Sequence, residues 1–317
     1  SQTLNLSGTG TIASKNVGSN KTVSVGTLAL ADGSNGGLAA NYTLSGGTHQ
    51  LTVNQRPLNA TLSRQYDGTT TSAGSDLSSF DALQGGETLT LSGSGTSASA
   101  NVANGIAMSS NGNLALVDGT GLASNYSLNS TVINITERVL NSSGSKIYDA
   151  NTDALAADIT LSNLVSGEAL NHSGTATISS ANAGSYTITN LAGITIADGS
   201  GGTASNYTLT GGTHNFTTNQ RPLNATLARQ YDGTSNAAGS DLSSFDALQG
   251  GETLTLSGSG SAVNDNVANG ISVSSLGTLA LVNGTGLASN YSLNSAAINI
   301  TQRVLNSSGS KTYDANT

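Results

Sequence analysis

RPLNATLSRQYDG, beginning at Arg56, returns as RPLNATLARQYDG at Arg221, and RVLNSSGSKIYDANT at Arg138 returns as RVLNSSGSKTYDANT at Arg303. Both pairs, and the NYTL strands at Asn41 and Asn206, are separated by one and the same interval. A chain that repeats itself at a fixed interval folds as an array of like units, each burying its own small core. Each period divides again into two related halves. Both open on Arg, an apolar residue, Leu and Asn, both place Tyr-Asp ten residues on, and both close with an Asn-Tyr-Ser/Thr-Leu strand followed by one more strand. The expected modules are therefore 56–137 and 221–302 of a first type and 138–220 of a second, with 1–55 a partial second-type module and 303–317 only the first strand of another. Both ends fall inside a module, so the chain is expected to continue on both sides in its parent protein. The alternative is that the two incomplete ends complement one another between molecules.

Within a module the dominant period is two. Leu58, Ala60 and Leu62 alternate with Asn59, Thr61 and Ser63, and Leu89 and Leu91 alternate with Thr88, Thr90 and Ser92; this is the pattern of strands with one buried face. Gly, Asn, Asp and Ser cluster between these runs, where turns need them. LSSFDALQGG is the exception: Leu77, Phe80 and Leu83 recur at helical spacing and predict one helical turn before a capping Gly pair. About seven short strands per module predict an all-β fold of tandem immunoglobulin-like β-sandwiches. The alternative is a parallel β-helix, whose shorter subperiod, of about 20 residues per coil, is absent from the sequence.

Composition narrows the function. Apolar residues are 36% of the chain, enough for several small cores, while 10 Lys and Arg against 18 Asp and Glu give a net charge of −8 with no basic stripe. Nucleic acid is therefore an unsuitable partner. The absence of Cys suits a chain that crosses membranes unfolded. No stretch approaches the roughly 20 apolar residues of a membrane-spanning helix, and SQTLNLSGTG is not a signal peptide, so any targeting segment is expected outside these residues.

RQYDGT at Arg64 and Arg229, SKIYDAN at Ser145 and the NYTL or NYSL strands resemble the YDG and MBG repeat modules of bacterial two-partner-secretion, filamentous-haemagglutinin-like adhesins. The resemblance implies immunoglobulin-like sandwiches, export through an outer-membrane partner to the cell surface or extracellular matrix, and a role in projecting adhesive regions. The second type carries Ala150 and Ala315 where Gly is usual, which leaves Asn151 and Asn316 as the expected turn residues.

The residues singled out are structural. Tyr66, Asp67 and Gly68, with Tyr148 and Asp149, and Tyr231, Asp232 and Gly233, form the repeated turn. Tyr42, Tyr126, Tyr207 and Tyr291 open the penultimate strand, where a sandwich places a Tyr whose hydroxyl ties down a loop; the alternative is a half-buried aromatic. Arg56, Arg138, Arg221 and Arg303 each follow Gln or Glu and are assigned to the seam between modules, bonding carbonyls or the Asp of the turn, with surface solvation as the alternative. Arg64, Lys146, Arg229 and Lys311 are expected along the same seam. His49, His172 and His214 read as exposed strand residues, and no GxSxG elbow or His with a nearby acid supports nucleophilic catalysis. DGTG at Asp118 and DGSGG at Asp198 read as tight turns, with a calcium site at one junction the alternative; no other cofactor is expected. Asn-x-Ser/Thr triplets at Asn41, Asn59, Asn125, Asn134, Asn141, Asn206 and Asn224 are potential glycan acceptors. Two functions follow as expectations. One is a non-enzymatic stalk or filament, whose partners are neighbouring modules, like chains in a fibre, or a host or matrix surface. The other is a carbohydrate- or surface-binding module using its Thr, Ser and Asn faces.

Overall fold

The period-two runs form strands because alternation on a pleated backbone puts every apolar residue on one face. The computed structural model describes residues 1–317, which group into two units: Ser1–Arg138 with Ser205–Tyr207, and Val139–Ala204 with Thr208–Thr317. No helix is long and apolar enough to cross a membrane.

The first unit opens with β1 (Leu4–Ser7), β2 (Thr11–Ile12), β3 (Gly18–Ser24), β4 (Ala29–Asp32) and β5 (Gln50–Val53). β1 pairs with β4, and β2, β3 and β5 make a three-stranded sheet in that order. Then come β6 (Arg56–Gln65), β7 (Thr71–Ala73), β8 (Leu77–Phe80), β9 (Leu89–Ser92), β10 (Ser94–Ser97), β11 (Ala103–Ser110), β12 (Ala115–Asp118) and β13 (Tyr126–Thr136). Six of these form one sheet ordered β7-β10-β11-β13-β6-β8, while β9 and β12 form a separate ribbon. β6 and β13, the first and last strands, run parallel from Arg56 opposite Tyr126 to Gln65 opposite Thr136, and the other pairs in this sheet are antiparallel. Leu58 and Leu62 of β6 and Ile133 of β13 are fully buried. Leu89 of the ribbon packs on Leu58 and Tyr126, with Leu116 and Phe80 against them. The fold is all-β, in two layers around a small core. A parallel β-helix would require parallel pairing throughout, and antiparallel ladders predominate instead.

The predicted helical turn at LSSFDALQGG is corrected: Leu77–Phe80 is strand β8. Leu62 lies opposite Leu77 and Thr61 opposite Ser79, so Ser78 is the extra residue of a bulge. A bulge breaks the period of two and returns Leu77 and Phe80, three apart, to the same face. A single 3-10 turn, Gly74–Asp76, precedes the strand instead.

In 138–220 the strands are β14 (Arg138–Val139), β15 (Asn141–Ile147), β16 (Asp153–Leu155), β17 (Ile159–Ser162), β18 (Leu170–Ile178), β19 (Gly184–Asn190), β20 (Ile194–Asp198), β21 (Tyr207–Thr208) and β22 (His214–Asn219). The main sheet has the order β16-β18-β19-β22-β15-β17, with β20 on β18. Here too the first and last long strands, β15 and β22, run parallel, around a core of Ile159, Ile178, Ile188, Ile194 and Phe216. Residues 221–302 repeat the 56–137 arrangement. Their strands are β23 (Arg221–Gln230), β24 (Asn236–Ala238), β25 (Leu242–Phe245), β26 (Leu254–Ser257), β27 (Ser259–Ala262), β28 (Ala268–Ser275), β29 (Ala280–Asn283) and β30 (Tyr291–Thr301), in the order β24-β27-β28-β30-β23-β25 with a β26-β29 ribbon. After β30 the chain has no regular secondary structure and is exposed to its end.

Candidate functional site

Ahead of each Tyr of the NYTL or NYSL motif lies a single 3-10 turn: Ala39–Asn41, Ala123–Asn125, Ala204–Asn206 and Ala288–Asn290. Its first N–H is capped from the preceding DG or NG turn. Ala39, Ala123 and Ala204 donate to Asp32, Asp118 and Asp198 Oδ1 at 2.7 Å, and Ala288 donates to Asn283 Oδ1 at the same distance. The turn therefore sets where the Asn and the Tyr that follow it point. At Asp118 and Asp198 the oxygens proposed from the sequence for calcium hold these caps, and no group of three or more His, Cys, Asp or Glu stands together as a metal site.

The Asn of each turn reaches a second Asn far away in sequence. Asn125 Nδ2 donates to Asn16 Oδ1 at 3.0 Å, while Val17 N donates back to Asn125 Oδ1 at 2.9 Å. Asn206 makes the same pair with Asn101 and Val102 N, at 3.0 and 2.9 Å. Asn290 makes it with Asn182 and Ala183 N, at 3.0 and 2.8 Å. Asn206 and Asn290 are each 1% exposed. A buried amide with donor and acceptor both engaged fixes two segments in one register, because leaving either atom bare costs about 1–3 kcal/mol. The Asn206 amide consequently has no room for a glycan in the folded module.

The Tyr residues extend this clasp. Tyr291 accepts from Gln249 N at 3.0 Å and donates to Glu252. Glu252 Oε1 also accepts from Tyr148 Oη at 2.7 Å, and the two rings meet edge to face at 5.3 Å. Burial, with the Glu252 hydrogen bond, pushes the Tyr148 hydroxyl up to about 12, and the same causes raise Tyr291. In the first unit Tyr126 accepts from Gln84 N at 3.2 Å and donates to Glu87 Oε2 at 2.7 Å. Lys15 Nζ bonds the other Glu87 oxygen at 3.0 Å. The Tyr126 hydrogen bond, then Lys15, holds the Glu87 carboxyl below its ordinary range. Tyr207 packs edge on to Tyr66 at 5.4 Å, whereas Tyr42 is half exposed and donates to Gln2 Oε1. Tyr126 and Tyr291 each begin one continuous eleven-residue strand, so in the first type the penultimate and last strands are a single element.

Arg221 Nε donates to Ala247 O at 2.8 Å and its Nη1 to Tyr148 O at 3.3 Å. Arg138 Nη1 donates to Tyr66 O at 3.4 Å, and Arg56 Nε to Ala82 O at 2.7 Å; Arg303 is exposed in the C-terminal segment. The turn carbonyls of Tyr66 and Tyr148 thus accept from Arg138 and Arg221. The turn itself is closed by the basic residue two places before Tyr. Arg64 pairs with Asp67, and Arg229 with Asp232, while each Asp accepts from the Thr two residues on at 2.9 Å. The Thr234 N–H and then Arg229 hold Asp232 below the usual carboxylate range. Gly68 and Gly233 take φ of +78° and +79°, a region open to Gly at little cost.

Three expectations are corrected. Ala150 and Ala315, not Asn151 and Asn316, take the left-handed conformation, at φ +63° and +65°. Asn151 serves by its side chain, which accepts from Lys146 Nζ at 2.8 Å and from Asp153 N at 2.8 Å. The basic residues before each Tyr clamp their own turns in place of lining a seam. The histidines are partly buried and tied to backbone carbonyls: His49 to Leu44 O and His214 to Leu209 O at 2.8 Å, and His172 to Ile159 O at 2.9 Å.

Sequence reasoning passed over Glu87, Glu252 and the partner residues Asn16, Asn101 and Asn182. The signal for the last three is Asn followed by Val or Ala in KNVG, ANVA and ANAG, each at the entry to a strand.

An array of this kind, whose polar side chains join one repeat to another, is a tandem-repeat protein. The family model described as YDG domain matches residues 1–51, 47–133, 135–214 and 219–300, and the chain belongs to the YDG domain family. The model covers both module types. No curated protein matches the chain, and no solved structure does.

Proposed function

We propose that this chain is a structural repeat region, the stalk or filament of a large secreted bacterial adhesin, exported through an outer-membrane partner and carrying adhesive regions away from the cell. The observation that supports this reading is the Asn clasp, made three times between the same kinds of atoms, with near-identical bond lengths each time. Successive repeats are also joined with no Pro- or Gly-rich linker, as Gln55 and Gln220 precede Arg56 and Arg221 directly and each donates to a carbonyl, Ser124 O and Ser289 O. Polar bonds and a direct connection oppose free rotation between neighbours, which is what a load-carrying spacer needs. His49, His172 and His214 bond backbone carbonyls, and Glu87 and Glu252 accept from Tyr hydroxyls. Electron microscopy of the natively secreted protein tests the reading: a thin projection with a regular axial repeat is expected, and compact unconnected globules would overturn it. A glycan array on the same material separates stalk from binding module, since a stalk retains no sugar.

A further inference from the structure

We infer that each module is a clamp that resists pulling in shear, and that the two types differ in strength, so that under tension the second type opens first while the first type holds. Force along the chain enters a module at the start of its first long strand and leaves at the end of its last. In 56–137 these strands are β6 and β13, which lie side by side and parallel from Arg56 opposite Tyr126 to Gln65 opposite Thr136. Pulling Arg56 and Thr136 apart therefore slides one strand along the other and loads every backbone hydrogen bond between them at once. An antiparallel pair at the same place would peel from one end, one bond at a time. The pairing of β23 with β30, from Arg221 opposite Tyr291 to Gln230 opposite Thr301, repeats the arrangement.

Side chains brace the sliding pair. Asn129 is the extra residue of a bulge in β13, between Leu128 and Ser130. Asn129 Nδ2 and Ser130 Oγ both donate to Asn59 Oδ1 of β6, at 3.0 and 2.6 Å, and Asn59 Nδ2 donates on to Asp81 Oδ2, just after β8, at 2.6 Å. Asn224, Asn294, Ser295 and Asp246 make the same brace in 221–302. A bulge bonded through its side chains to the opposite strand cannot slip without breaking those bonds. Beyond the far end of the pair, Tyr66 N donates to Thr136 O, and Tyr231 N to Thr301 O, each at 2.9 Å. The second type lacks this brace. Its last strand is interrupted at 209–213, so β22 meets β15 from Ser142 opposite His214 to Ile147 opposite Asn219, six residues of β15 where all ten of β6 are paired. That ladder runs without a bulge, and the Ser142 hydroxyl meets His214 Nδ1 at 2.9 Å on its first pair. Asn141 stands where the first type has Asn59, and its Oδ1 accepts from the Thr213 N–H at 2.8 Å.

Resistance to pulling deepens the stalk reading and rests on it for its purpose, yet it is a property of the folded modules and is measured apart from microscopy of the secreted protein. The chain has no Cys, so pairs of introduced Cys fix where handles attach for single-molecule pulling on the full 317-residue chain. Asn54→Cys with Glu137→Cys loads 56–137 in shear. Thr70→Cys with Glu137→Cys, which lie beyond the same ends of β6 and β13, peels those strands apart. Glu137→Cys with Gln220→Cys loads 138–220, and all four sites are exposed. The shear pair of 56–137 is expected to yield at a force at least roughly twofold above its peeling pair, and also above 138–220, because forced rupture follows the unfolding rate along the pulled direction. Asn59→Ala is expected to lower the shear force by roughly a fifth and to leave the peeling force, which is set at the Gln65 end, unchanged. The comparison of directions in the unsubstituted clamp decides the proposal even where that variant does not fold. Equal force in the two directions would overturn the clamp, and a second type as strong as the first would overturn the order of opening. Either result leaves a regular axial repeat in micrographs untouched, while compact globules with a strong shear response would refute the stalk alone.

Discussion

Ala150 occupies a backbone conformation that costs an L-residue about 1–2 kcal/mol, and it does so at φ +63° where the first-type turn has Gly. Ala150→Gly is therefore expected to stabilise its unit by about 0.5–1 kcal/mol, after the greater freedom of Gly in the unfolded chain is subtracted; the midpoint of denaturant unfolding checks it. Repeats supply a second comparison. Ser72 is fully buried with a hydroxyl that has no hydrogen-bond partner, and its counterpart one period on is Ala237, also 0% exposed. Ser72→Ala keeps the packing and removes a stranded polar group, so a gain of about 1 kcal/mol is expected in the same measurement. Ser72 did not announce itself in the sequence, whereas Ala150 stood out as the replacement for Gly but not as the residue in the left-handed conformation. Gly at the turn is a local preference, but whether Ala replaces it in the same conformation depends on Lys146 and Asn151 closing the turn around it.

At the scale of elements, the Tyr148, Tyr291 and Glu252 group links β15 to the start of β30 within the second unit. The folded Tyr148 hydroxyl titrates at about 12, above its ordinary value of 10.0. A group whose pKa rises on folding contributes stability that is whole below the unfolded value and is lost as pH climbs through the folded one. The second unit is thus expected to lose stability between about pH 10 and 12, with part of the tyrosinate absorbance appearing above the ordinary value of 10.0; Tyr148→Phe, which has no ionisable hydroxyl there, should remove its own share of that late absorbance. Period-two alternation made β6, β9 and β13 legible, because each has one buried face. β8 was misread because a bulge imitates helical spacing, and the choice between bulge and helix is made by the ladder to Thr61 and Leu62, residues that lie outside any local window.

Across the whole molecule, equivalent sequences do not carry equal protection. β22 is held between β15 and β19 with Phe216 and Thr218 each 1% exposed, while β5 pairs on one side only and leaves Leu51 half exposed. Amide hydrogen exchange in this 317-residue chain is expected to be at least roughly tenfold faster in Gln50–Val53 than in His214–Asn219; equal protection would overturn the expectation. The sequence by itself determined the long period, the two alternating module types, the all-β class and the residues of the repeated turn. All of these rest on local alternation and self-similarity, which a single chain displays openly. Tertiary structure alone decided that Asn125 meets Asn16, that Asn290 meets Asn182, and that one Glu receives two Tyr hydroxyls. A chain rich in Asn offers many equivalent amides, and an amide acquires a partner only when packing brings another segment within hydrogen-bonding reach and excludes the water that would otherwise satisfy it.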